Sequence, residues 1–285
     1  MTRNVFTLIV DPGIAFSTTR ESSLRVPQIA DGAPAPGLIV PSTLADNAIE
    51  VVTTRLDLAP EPIAELARLL SDAERQRASR FAFDRDRRRF TVARAQLRQL
   101  LAARLDVQPE SVELTYSAYG KPALAQRFAD SKLCFNISHS EDIAVYAFAF
   151  DREVGIDAEA VRPLADADEI AARFFSRREN EAYCALDPRD RPLGFFNCWT
   201  RKEAFIKAIG DGLHYPLDRF DVSLAPGEPA KILRVEDTAG DECGWCLSSF
   251  SPAPGFVAAV VTESAKRLPG FASAPPRSAR PATMP

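Results

Sequence analysis

The chain has 285 residues, 46% hydrophobic and 26% charged, with 35 basic against 39 acidic side chains and a formal net charge of −4. That length and apolar content allow one large core or two smaller ones and exclude a chain that is disordered throughout. The slightly acidic total gives no general reason to expect nucleic acid, and the longest clean apolar stretch, Ile143 to Phe150, is far too short for a membrane span.

The N-terminus offers only the short apolar run Phe6 to Val10, with no small-residue cleavage pattern after it, so the protein is expected in the cytoplasm. Five scattered cysteines (Cys134, Cys184, Cys198, Cys243, Cys246) suit a reducing compartment better than a disulfide framework. Cys243 and Cys246 make a C-x-x-C, but the only histidines are His139 and His214, so two cysteines in a turn and strand are expected in place of a zinc or redox site. Residues 27–41 carry four prolines and residues 265–285 five more. The segments 1–45 and 265–285 therefore read as a partly disordered extension and a Pro-rich disordered tail.

Between them the first half, 46–152, predicts a helix near Ile63 to Leu70 and a second opening at Ser71, where Glu74 three residues on completes a capping box. A long helix follows from Asp86, with Phe90, Ala93, Leu97, Leu100, Leu101 and Leu105 at helical intervals. Ten arginines lie between Arg75 and Arg104 against Asp84 and Asp86, a local charge of +8, which predicts a cationic outer face. Such a face is either simply solvated or meets an anion, with phosphate preferred because the arginine fork matches its oxygens. Strands are predicted at Val112 to Tyr116, Leu133 to Ile137 and Ile143 to Phe150.

The second half, 153–264, opens on a strand at Val154 to Asp157 and continues with helices near Ala165 to Phe174, Arg177 to Ala185 and Pro192 to Ile209. It closes with strands near Phe220 to Leu224, Lys231 to Val235, Trp245 to Phe250 and Gly255 to Val261. Each half reads as helices followed by a small antiparallel sheet, an α+β pattern. No short-period sequence repeat is visible, so any duplication is one of structure.

Several patterns carry chemistry. Glu203 and Lys207, four apart, share a helical face and can hold a metal and a phosphate together, or form an ordinary surface ion pair. Asp157 and Glu159, two apart on a strand, point the same way. With Glu203 they make three carboxylates, oxygen donors of the kind a hard divalent cation takes together with a phosphorylated ligand. Tyr119-Gly120-Lys121-Pro122 is either a plain turn or one whose glycine admits a ligand to the backbone. Asn136-Ile137-Ser138-His139-Ser140 crowds hydroxyls, an amide and an imidazole at a strand end, where they either donate to phosphate or cap the strand.

Together, Gly120-Lys121-Pro122, Asn136-x-Ser138-His139-Ser140, Gly155-Ile156-Asp157-x-Glu159, Phe174-Phe175-Ser176-x-x-Glu179 and Trp199-Thr200-x-Lys202-Glu203-Ala204-x-x-Lys207-x-x-Gly210-x-Gly212-Leu213 resemble the 4′-phosphopantetheinyl transferases of the long, single-chain type that activates natural-product synthetases. The motifs fall in the family's order across about Leu70 to Leu224. The resemblance implies an α+β monomer of two similar subdomains with pseudo-twofold symmetry, binding coenzyme A and Mg²⁺, or Mn²⁺, between them. It implies transfer of 4′-phosphopantetheine to a serine of an apo acyl or peptidyl carrier protein, with release of adenosine 3′,5′-bisphosphate.

By motif position, Asp157, Glu159 and Glu203 would ligate the metal, and Lys207 would contact the pyrophosphate. Ser138 and His139 would hold the coenzyme phosphates, Gly120, Lys121 and Pro122 would line the adenine side, and Arg77, with Arg89 as a second candidate, would reach the 3′-phosphate. Glu203 is the candidate general base. Three positions depart from the pattern: Ala158 between the metal carboxylates, Glu74 where some relatives have lysine, and Asp211 between Gly210 and Gly212. The basic half, with Arg85 and Arg88, and the apolar pair Phe174 and Phe175 are expected to meet an acidic carrier helix. Two rival readings are a nucleic-acid-binding module using the arginine helix and a metal-dependent phosphohydrolase. Neither accounts for all the motifs.

Overall fold

The computed structural model describes residues 48–210, 215–236 and 244–264, together with the backbone of a strand at Val5–Val10. That strand, β1, lies inside the segment read as an N-terminal extension and pairs antiparallel with β2 (Ile49–Arg55). β2 was not foreseen, although its Val51-Val52-Thr53-Thr54 run is β-branched throughout and suits a buried strand. Three helices follow: α1 (Pro60–Ala67), α2 (Asp72–Ser79) and α3 (Asp84–Leu105). A short hairpin, β3 (Leu114–Tyr116) and β4 (Pro122–Leu124), precedes the paired strands β5 (Leu133–Ser140) and β6 (Ile143–Phe150).

The chain then repeats this plan. A strand, β7 (Val154–Ala160), is followed by α4 (Ala167–Phe174), α5 (Arg177–Cys184) and α6 (Arg191–Ile209), a hairpin of β8 (Phe220–Val222) and β9 (Ile232–Val235), and the pair β10 (Trp245–Phe250) and β11 (Phe256–Glu263). The sheets match as well. One runs β1-β2-β6-β5 and the other β10-β11-β7, so the last strand of each half lies centrally, β6 between β2 and β5 and β11 between β7 and β10. The halves thus share one architecture without a visible sequence repeat.

The capping boxes show how deep the repeat goes. In α2 the Ser71 hydroxyl accepts from the Glu74 amide and the Glu74 carboxylate accepts from the Ser71 amide; Ser176 and Glu179 do the same for α5. Each glutamate is buried and paired with a buried cation on its long helix, Glu74 with Arg98 at 2.6 Å and Glu179 with Lys202 at 2.8 Å. Each cation also donates to two carbonyls of the chain that leaves that helix: Arg98 to Pro109 and Val112, Lys202 to Leu217 and Phe220. A buried charge is tolerable only when its hydrogen bonds are supplied in this way.

The core lies in three layers. α3 covers one face of the first sheet with Val92, Leu97 and Leu101 against Val52, Tyr146 and Phe148. α6 covers the second with Ala204, Phe205 and Ala208 against Ala259 and Val261. Between the sheets, Ile49, Val51, Val145 and Ala147 pack on Val154, Ile156, Ala258 and Val260. β6 is therefore buried on both faces, which is why it reads as an unbroken apolar run.

The cationic outer face expected of α3 forms only at its start, where Arg85, Arg87 and Arg88 are exposed. Arg94 and Arg98 are buried and the Arg104 side chain is 4% exposed; Arg94 and Arg98 turn toward Glu74, and Arg104 toward Glu50. Arg87 and Arg88 pair with Asp84, Arg85 with Asp86, Arg75 with Asp72 and Arg89 with Asp57. Part of the excess charge counted along the sequence is met by acids outside that window: Glu50, Asp57, Asp72 and Glu74. Arg77 and Arg80 have no ion-pair partner among the described residues.

Candidate active site

The site forms where the edge of β5 meets β7. The two strands run side by side with no backbone ladder between them, and side chains cross the gap instead. Asn136 Oδ1 accepts from the Ile156 amide at 3.0 Å, Ser138 Oγ donates to Asp157 Oδ1 at 2.8 Å, and Ser140 Oγ donates to Glu159 Oε2 at 2.8 Å. The alternation of a strand puts these three β5 side chains on one side, and the same alternation puts Asp157 and Glu159 together on β7.

α6 completes the cluster because Gly155 lets it approach. A Cβ on Gly155 would stand 2.1 Å from the Ala204 carbonyl oxygen and 2.3 Å from the Ala208 amide nitrogen. With no side chain there, and only methyl groups at 204 and 208, the helix settles directly on β7 and carries Glu203 and Lys207 to the carboxylates. Lys207 Nζ donates to Asp157 Oδ1 at 2.6 Å and to Ser138 Oγ at 3.2 Å. Burial pushes the Glu203 carboxyl up to about 7; Lys207 opposes the rise and the Asp157 and Glu159 charges add to it. Burial also raises Glu159, against the hydrogen bond from Ser140.

This donor set suits a hard divalent cation. All the donors are carboxylate oxygens, burial and then the Asp157 and Glu159 charges raise the Glu203 carboxyl to about 7, and Asp157 Oδ2 is buried with no hydrogen-bond partner. Among the described residues no three acidic, histidine or cysteine side chains are yet drawn into a coordination sphere. The Lys207 ammonium is the cation on Asp157 in this arrangement.

Models of two families match the chain: the 4'-phosphopantetheinyl transferase superfamily over residues 153–261 and the N-terminal region of 4'-phosphopantetheinyl transferases over residues 59–150. The chain is 39% identical to the 4'-phosphopantetheinyl transferase HetI of Nostoc sp. over 229 residues, which are 80% of this chain and 93% of that one. It is 32% identical to the 4'-phosphopantetheinyl transferase Sfp of Bacillus subtilis, over 59% of this chain and 72% of that one. It is also 32% identical to the human L-aminoadipate-semialdehyde dehydrogenase-phosphopantetheinyl transferase, over 63% and 62%. The chain belongs to the 4'-phosphopantetheinyl transferases. It is a transferase that moves the phosphopantetheine group of coenzyme A onto carrier proteins, and the nucleic-acid and phosphohydrolase readings are not supported.

The transferase places its other expected site residues less uniformly. His139 follows Ser138 on β5 and is exposed; the surrounding protein and then the Lys207 charge hold its pKa below the ordinary value, the first effect limited by that exposure. Arg94 is a further cation in the field of His139, and nothing in the sequence marked it as such. Gly120 adopts φ 82° in the turn before Pro122, which opens β4. Lys121 crosses from that turn to the second half, donating to Glu153 Oε2 at 2.8 Å and to the Ala208 carbonyl at 3.1 Å, at the C-terminal end of α6 where a cation is favoured.

Arg77 and Arg80 line a groove of about 910 Å³ along α2 and β3, with Phe81 and Tyr116 exposed in its walls. Arg77 also stands 5.6 Å from the Phe90 ring centre. Arg89 is less free: its fork grips both oxygens of Asp57 at 2.7 Å. Of the apolar pair expected to meet a carrier, Phe175 is buried and Phe174 packs edge-on against Trp199. Asp211, Gly212, Leu213, His214 and Cys243 lie outside the described residues. No helix among the described residues is long and apolar enough to cross a membrane.

Proposed function

We propose that Asp157, Glu159 and Glu203 form the metal site of this transferase, with Mg²⁺ as the preferred ion and Mn²⁺ as an alternative, and that coenzyme A lies between the two halves. The observation that carries this reading is the descent of α6 onto Gly155, which brings Glu203 and Lys207 beside the β7 strand that bears Asp157 and Glu159, with Lys207 Nζ on Asp157 Oδ1. In this division of labour the first half, 46–152, holds the coenzyme, and the second half, 153–264, supplies the metal ligands and the chemistry. Residues 1–45 and 265–285 flank them.

Asp157, Glu159 and Glu203 would hold the divalent cation, whose chemistry when bound would be to neutralise charge on the pyrophosphate and make the attacked phosphorus more electrophilic. The chain's own residues do the rest. Lys207, released from Asp157, donates to the pyrophosphate and offsets charge on the departing adenosine 3′,5′-bisphosphate. Ser138 and His139 at the end of β5 face the coenzyme phosphates, and Gly120, Lys121 and Pro122 line the adenine side. Arg77 receives the 3′-phosphate, and Arg89 joins it only by leaving Asp57. Glu203, with a proton affinity near neutrality, takes the proton of the carrier serine as its oxygen bonds to phosphorus and the bond to the bisphosphate breaks. The acceptor is an apo acyl or peptidyl carrier, and the enzyme acts as a monomer.

Intact-mass measurement of an apo carrier after incubation with the enzyme, coenzyme A and Mg²⁺ tests the assignment. The expected result is a gain of one phosphopantetheine that requires the metal, with the Glu203→Gln rate lower by about 10² to 10⁴. A Glu203→Gln enzyme that works at full rate would remove Glu203 from the chemistry.

A further inference from the structure

The seam between β5 and β7 assigns distinct tasks to residues that the phosphate-binding reading of Asn136-x-Ser138-x-Ser140 treats alike. Ile156 and Ala160 on β7 present their amides to β5, and no backbone carbonyl meets them there. Side chains do so: Asn136 Oδ1 accepts from Ile156 and Ser140 Oγ accepts from Ala160 at 3.2 Å. Asn136 does nothing else in the seam. Ser140 accepts from the backbone and, with its own proton, donates to the Glu159 carboxylate at 2.8 Å. It is buried, and both its proton and a lone pair are used within the seam.

We propose that Ser140 is a positioning residue for Glu159: one hydroxyl fixes the strand by its lone pair and aims the carboxylate by its proton. This rests on the reading of Glu159 as a metal ligand. The donated bond acts on one oxygen, Oε2, and leaves Oε1 without a hydrogen bond among the described residues. Arg162 is 3.9 Å from Oε2 and makes no hydrogen bond to it, so Ser140 is the one close donor to Glu159 among the described residues. Hydrogen-bonded partners behind a ligating carboxylate set its direction, and their loss lowers metal affinity by about 10- to 100-fold. Asn136, holding only an amide, has no such lever on the metal.

The two roles separate in a titration of Mn²⁺ into the full chain, with free ion followed by electron paramagnetic resonance, alongside thermal melting. Ser140→Ala is expected to weaken Mn²⁺ binding about tenfold or more, and Ser140→Thr, which keeps the hydroxyl, to restore it. Asn136→Ala is expected to lower the melting temperature while leaving Mn²⁺ affinity within about twofold of the parent. Parent-like Mn²⁺ affinity in Ser140→Ala, or equal weakening in Asn136→Ala, would show that the seam only stabilises and would overturn the assignment. A parent enzyme that takes up no Mn²⁺, with or without coenzyme A, would overturn the metal site itself and this inference with it.

Discussion

The two halves differ most where they are otherwise most alike. Glu50 on β2 pairs with the sixth residue of β6, and Gly155 on β7 pairs with the sixth residue of β11. The helix position facing each is also shared, since Arg104 follows Arg98 by six residues as Ala208 follows Lys202. In the first half this place holds a buried ion pair, Arg104 with Glu50 at 2.6 Å, with the guanidinium 3.7 Å from the Phe148 ring centre. In the second half it holds a glycine and an alanine in backbone contact. The same register sets Val52 and Thr54 against Asp157 and Glu159, and Gln99 and Ala103 against Glu203 and Lys207. One plan serves two ends: bulk and charge hold α3 off its sheet, while their removal lets α6 down onto the strand that bears the carboxylates.

Breaking the ion pair should have the largest effect on stability. Arg104→Ala leaves Glu50 buried without its cation and is expected to cost about 3–5 kcal/mol in urea denaturation. The turnover of the protein that remains folded should stay at the parent value. A proportional loss of turnover would mean that the spacing of α3 reaches the chemistry after all.

The next effect distinguishes the halves by pH. Glu203 is raised from an ordinary 4.5 to about 7, so the folded state holds its proton more tightly than the unfolded chain does. The stability from that proton is fully present below about 4.5 and is lost as pH rises through about 7. With metal chelated, the parent is expected to lose on the order of 2–3 kcal/mol between pH 4.5 and 8 through this group. Glu203→Gln should lose correspondingly less, whereas Gln99→Ala, at the matching place on α3, should track the parent. A Glu203→Gln melting curve that follows the parent at every pH would contradict the shift. The smallest effect sharpens the likeness: Ser71→Ala and Ser176→Ala should each cost about 1 kcal/mol, because each removes the same cap from the same helix of its half.

What was legible in the sequence was local. Ser71 with Glu74, the two-residue step from Asp157 to Glu159 and the four-residue step from Glu203 to Lys207 all express the period of one element, and each formed as spaced. The glutamate seen as a cap at 74 was not legible as the anchor of Arg98, because that contact is made 24 residues away. The arginine count failed for the same reason: Arg104 finds Glu50, and Arg89 finds Asp57, only after β2 and its following loop have folded beside α3. The role of Gly155 was hidden as well. A glycine before a strand carboxylate reads as a loose link until the helix that presses on it is known.

The seam between the strands bears on how the protein is made. All strands of the β1-β2-β6-β5 sheet lie before residue 151 and all strands of the β10-β11-β7 sheet after residue 153. A ribosome that has released Phe150 has therefore delivered every strand of the first sheet before the next begins to emerge, and domains generally fold as units in that order. In that order β7 would meet an edge already carrying Asn136, Ser138 and Ser140, the side chains that bond to Ile156, Asp157 and Glu159 across the seam.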